Sequence, residues 1–194
     1  MANNVALVTT GKPKKTGAIF RAPYGTTLPT TSVATLDSAF KLLGYVSEDG
    51  VTNSNSPETA TVKAWGGDTV LTTQNEKNDT FSFKLIEALN ADVLKTVYGD
   101  NNVSGASVTD TNGITVTANA DELPVSSWVI DMIVNGNYIK RIVIPAGKVS
   151  EIGDIEYVDD DAVGYEITVS CMPDETGMTH KEFINVTTAP QSQQ

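Results

Sequence analysis

The chain has 194 residues, 40% of them hydrophobic and 19% charged, with a net charge of −11 and one cysteine. That length suits one domain with a sizeable core, and that balance excludes a disordered chain. A single cysteine excludes an internal disulfide, and no stretch approaches the ~18–20 apolar residues that cross a bilayer.

In chain order, Met1–Val8 lacks a basic stretch and a long apolar core, so no signal peptide is expected. Residues 1–34 read as an irregular arm punctuated by Gly11, Pro13, Gly17, Pro23, Gly25 and Pro29, with a short apolar piece at Ala18–Phe20. Residues 35–188 read as one β domain and residues 189–194 as a polar tail. Over 35–46, Leu36, Phe40 and Leu43 fit a helical stripe, but Gly44 ends it and Tyr45–Val46 looks like strand. Ser47–Pro57 reads as a polar loop. Thr59–Trp65 and Thr69–Thr73 read as paired strands around a Gly66–Asp68 turn. Asp79–Leu85 alternates Phe81, Phe83 and Leu85 with Thr80, Ser82 and Lys84, as a half-buried strand does.

One helix is expected over Ile86–Tyr98, where Ile86, Leu89, Val93 and Val97 share a stripe and Gly99 follows. Ile114–Ala118 reads as a short strand. Asn135–Gly136 predicts a type I′ turn between Trp128–Val134 and Asn137–Ile144. Both faces of that hairpin are apolar: Trp128, Ile130 and Met132 on one, Val129 and Ile133 on the other. It needs cover on both sides, from the chain's own core on one and from the helix or a neighbouring subunit on the other. Ala162–Met172 reads as a central strand and Thr179–Val186 as a closing one. The result is a mainly β chain with one helix.

Charge is uneven. The first 46 residues hold five basic residues and one acidic, and the remainder eight basic and 23 acidic, a net of −15. A field of that sign repels nucleic acid and favours basic partners. Lys12, Lys14 and Lys15 on the arm, with Glu48 and Asp49 in the following loop, are candidate docking contacts, since a basic arm could dock on an acidic body, its own or a neighbour's. Asp159, Asp160 and Asp161 are candidate surface carboxylates.

Catalytic signatures are missing. His180 is the only histidine, in a polar stretch with no nucleophile marked beside it, and reads as exposed and inert. Cys171 falls on the apolar face of a strand, as a small hydrophobe. Cys and His together number two, too few for a zinc site. Asp159–Asp161 lacks the ligand spacing of a calcium loop and reads as a solvated acidic loop. The expectation is a protein that is not an enzyme and carries no cofactor or metal.

Across most of the chain, Ala64–Gly67, Thr80–Asn90 ("TFSFKLIEALN"), Asp92–Val103 (with "VLKTVYG"), Lys140–Pro145 and Gly164–Val169 occur in an order that resembles the major tail (tail tube) proteins of long-tailed, non-contractile bacteriophages. The resemblance spans roughly residues 17–186. It implies an antiparallel β-sandwich or barrel-like fold with a flanking helix and a long N-terminal arm. It implies a structural subunit of the virion tail, made in the host bacterial cytoplasm. Six-membered rings of self would stack into a tube that passes DNA without binding it specifically, alongside tape measure, tail terminator and distal tail proteins, with no membrane partner. Two alternatives stay open: a carbohydrate- or protein-binding β-sandwich of a phage or cell surface, and the tube subunit of a contractile injection system.

Overall fold

The computed structural model describes residues 3–14, 17–135 and 138–186. Its strands are β1 (Gly11–Pro13), β2 (Ile19–Pro23), β3 (Lys41–Leu42), β4 (Val46–Lys63), β5 (Thr69–Leu85), β6 (Val103–Ser104), β7 (Thr115–Val116), β8 (Ser126–Val134), β9 (Tyr138–Ile152), β10 (Tyr165–Met172) and β11 (Lys181–Val186). The single α-helix among the described residues is α1 (Ala91–Tyr98). Nine strands form one sheet ordered β3-β2-β8-β9-β10-β5-β4, with β1 also on β8 and β11 also on β9, while β6 and β7 form a separate pair. Every pairing is antiparallel. The expected mainly β fold with one helix is what the structure has.

Period-two alternation places the core. Phe81, Phe83 and Leu85 of β5, Ile167 and Val169 of β10, and Trp128 and Ile130 of β8 point to one face and are buried together with Val93 and Val97 of α1. Each such side chain contributes about 1.5–3 kcal/mol on leaving water. Trp128 is anchored further, donating from Nε1 to Gly147 O at 3.1 Å.

The opposite face of the β8–β9 hairpin is covered by the chain's own N-terminal segment and not by the helix. Val129 and Val143 pack there against Ala22 and Phe40, with Phe20, Leu28, Leu36 and Phe183 around them. The N-terminal segment is therefore a structural layer. Its residues 11–13 pair with 132–134 and its residues 19–23 with 126–130, both on β8. The expectation of an irregular arm fails for these stretches. Their register comes from β8, and a three-residue strand such as Gly-Lys-Pro carries no periodicity of its own.

Four other expectations change. Ser47–Pro57 lies inside β4, paired with β5 from Val51↔Phe83 to Pro57↔Lys77. A solvated ribbon needs no apolar alternation, so its sequence reads as loop. Leu36–Leu43 forms no helix; Leu43 instead donates its backbone N–H to Ile19 O beside β2. The helix begins at Ala91, not Ile86. Asn90 caps it by accepting from Asp92 N at 3.0 Å, and Leu89 is left exposed. Gly99 ends it at φ 99°, where a glycine is favoured. The β8–β9 ladder closes at Val134↔Tyr138, one residue wider than a two-residue turn, with Asn135 at φ 50°; Gly136 and Asn137 lie outside the described residues. The polar tail at 189–194 lies outside them too.

Candidate functional site

The most distinctive surface is the β4–β5 ribbon. Asp79 is the last buried residue of β5 in the direction of the turn; Thr69–Asn78 are all exposed. On β4, Thr52–Thr59 and Thr61–Lys63 are exposed as well. The distal ribbon thus projects as two strands with no layer on either face. Its Thr, Asn and Ser residues suit an extended backbone that stays wet on both faces.

At the turn, Ala64 donates to Asp68 O at 2.7 Å and Gly67 to Ala64 O at 3.0 Å, with Gly66 and Gly67 at φ 120° and 99°. Trp65, which reads as a strand residue in sequence, sits on this turn and is 107% exposed. Just below it Val62 faces Leu71 across the ladder, and both are exposed, as is Val70. Lower still, Glu58 lies directly opposite Glu76. A hydrogen bond shared with Glu76, and then repulsion between the two, raise the Glu58 carboxyl above its ordinary value.

A buried polar cluster holds the ribbon's root. Asp79 is 1% exposed in its side chain. It accepts from Thr179 Oγ1 at 2.6 Å, His180 Nδ1 at 2.5 Å and Asn53 Nδ2 at 2.9 Å. Burial alone raises its pKa, but the three hydrogen bonds and the histidine outweigh that, and the net shift is downward. His180 also stands edge-on to Phe81, ring centroids 5.3 Å apart. Far from exposed, this histidine clamps the segment before β11 onto β4 and β5. Nearby, Cys171 is pushed up to about 12 by burial, with the Asp79 charge adding to it, so it stays a protonated thiol.

A buried ion pair holds the N-terminal layer. Arg141 donates from Nε and Nη2 to Asp131 at 2.6 and 2.8 Å, and from Nη1 to Ala34 O at 2.6 Å and Thr31 O at 3.2 Å. One guanidinium thus satisfies its carboxylate and straps residues 31–34 over the hairpin. On the opposite face of the sheet, Arg21 forms a two-pronged pair with Asp100 at 2.9 and 2.8 Å.

The residues singled out in the sequence scatter. Lys12 is exposed on β1, opposite Ile133. Lys14 lies 3.6 Å from Asp131. Lys15 lies outside the described residues. Glu48 and Asp49 are exposed on β4, where the pairing with β5 shifts register between Val46 and Val51. Asp159–Asp161 occupy an exposed loop after β9; Asp161 comes within 3.7 Å of Lys84 and accepts from Ala162 N. No cluster of three metal-ligating side chains occurs among the described residues. Neither the Asp79 clamp nor the bare Trp65 was legible in advance. Asp79 and His180 stand 101 residues apart. A Trp beside Gly-Gly was the one available sign of a loop tip.

Among known protein families, the model described as "Phage tail tube protein" matches residues 1–193. No curated protein matches the chain.

Proposed function

The chain belongs to the phage tail tube protein family, and we propose that it builds the tube as six-membered rings that stack around a DNA channel. Family membership makes it a structural subunit of the virion tail that associates with copies of itself. Ring number, the channel's cargo and the tape measure, tail terminator and distal tail proteins as further partners belong to the proposal.

The observation that carries it is the β4–β5 ribbon. A two-stranded ribbon alone in water is marginal at best. This one extends from Asp79 to the turn with both faces exposed and ends in bare apolar side chains. Contacts with a neighbouring copy would give it the layers that a monomer lacks. Free edges at β3 and β4 offer further pairing sites, and joining edges across subunits also removes an aggregation hazard. In this reading Lys12, Lys14, Lys15, Glu48 and Asp49 serve contacts between rings, and Asp159, Asp160 and Asp161 face the channel. An acidic lining suits DNA that must slide and not stick.

Negative-stain microscopy across a concentration series tests the assembly. Tubes with an axial hole are expected; a strict monomer at every concentration would overturn it. Replacing Asp159–Asp161 by Asn in the tail is expected to slow DNA ejection, and an unchanged rate would remove those residues from the channel. One observation favours a second reading. A fully exposed Trp65 beside glycines also suits a sugar face, as a surface-binding domain would use. Saturable quenching of its fluorescence by an oligosaccharide, with no tubes, would support that reading.

A further inference from the structure

Trp65 and Val46 stand at the two ends of one strand. β4 runs from Val46 to Lys63, 18 residues, and Trp65 follows on the turn. At about 3.3 Å per residue the ends are roughly 50 Å apart.

At the Val46 end the body has a cavity of about 630 Å³. Pro13, Ala18, Leu42, Tyr45 and Val46 supply its apolar wall, and Lys14 and Glu87 line it too. Tyr45 and Leu42 are exposed there. Two other concavities are also largely apolar: one of about 630 Å³ lined by Ile86, Ala88, Leu89, Ala91 and Val163 offers neither an aromatic ring nor a cation, and one of about 150 Å³ beside Leu28, Val143 and Phe183 is much smaller. Two more are polar, one lined by Arg21, Lys41, Asp92, Lys95 and Asp100 and one by carboxylates and Lys84.

On the assembly reading above, we propose that Trp65 of one copy seats in this cavity, between Pro13, Ala18, Leu42 and Tyr45, of the next. The indole is flat, large and uncovered, and the cavity offers an aromatic ring in Tyr45 and a cation in Lys14, both of which an indole face accepts. Because knob and hole lie at opposite ends of the extended ribbon, a chain does not fill its own cavity. The contact is head-to-tail, uses different surfaces on the two copies, and repeats along the ribbon axis. Such a contact builds a filament and does not stop at a dimer. It also gives the basic N-terminal segment a role in assembly, since Pro13 and Lys14 line the receiving site.

The test is intermolecular cross-linking in a Cys171→Ala background, which removes the chain's one native thiol. Trp65→Cys combined with Tyr45→Cys is expected to yield, on mild oxidation, a ladder of dimers, trimers and longer products on a denaturing gel. Either single variant is expected to stop at dimer. Separately, Trp65→Ala is expected to raise the concentration for half-assembly at least about tenfold, with Trp65→Phe in between. Circular dichroism and the buried Trp128 fluorescence report that each variant is folded. If the unsubstituted chain assembles but the double variant gives no ladder beyond the singles, the knob-in-hole contact is wrong and the assembly reading stands. If the unsubstituted chain never assembles, both fall.

Discussion

Asp79 and His180 meet at 2.5 Å between Oδ2 and Nδ1, and that bond joins the root of the ribbon to the segment that begins the last strand. Removing it by Asp79→Ala leaves Thr179 and His180 without this acceptor and Asn53 with Thr80 O alone. A loss of about 1–3 kcal/mol in urea unfolding is expected. His180→Ala should cost less, because Thr179 and Asn53 still hold the carboxylate.

The same cluster sets an acid dependence. The Asp79 carboxyl titrates below its ordinary value in the folded chain, so its contribution is complete above the unfolded carboxylate pKa and is lost as pH falls through the lowered folded value. Stability should therefore drop below about pH 4 in a step that Asp79→Asn removes. Equal acid slopes for the two chains would contradict this.

Arg141 and Asp131 make the other buried pair, and single changes there should be severe. Arg141→Met leaves a carboxylate that is 1% exposed with only the more distant Lys14, 3.6 Å away, and frees Thr31 O and Ala34 O. A cost of about 3–5 kcal/mol is expected from thermal or urea unfolding. Pairing it with Asp131→Leu should recover part of that loss, because no uncompensated charge remains. Arg141→Lys should not rescue, since an ammonium cannot reproduce the fork.

The ribbon should respond to pH in the opposite sense to the body. Glu58 titrates above its ordinary value, so the ribbon is most stable below the unfolded carboxylate pKa and loses that stability as pH rises through the raised value. Amide exchange near Glu58 and Glu76 should slow in mild acid beyond the intrinsic pH effect. Glu76→Gln should abolish that extra slowing.

Gly147 sits where a side chain has no room. A Cβ there would come within 2.8 Å of both Trp128 and Val169. Gly147→Ala is expected to cost about 1–3 kcal/mol through overpacking and to shift the Trp128 emission. An unchanged melting temperature would mean that the indole can move aside.

Local pattern alone determined a good deal of this protein. The alternation of Phe81, Phe83 and Leu85 and of Tyr165, Ile167 and Val169 named core strands, because period two and burial of one face are properties of a strand itself. The apolar double face of Trp128–Val134 announced two layers of cover for the same reason. The order of motifs from Ala64 to Val169 pointed to the tube family that the whole-chain match establishes. What covers the second face was decided only in three dimensions, where Ala22 and the residues strapped by Arg141 come from an arm with no periodicity, and Phe40 from a stretch whose helical spacing forms no helix. The ribbon was hidden likewise: with both faces wet, residues 47–57 have no hydrophobic signal to distinguish strand from loop, and only the pairing with β5 makes them one. His180 was misread because its partner lies 101 residues away, and burial of a polar pair is a property of the tertiary contact and not of either residue's neighbours in the chain.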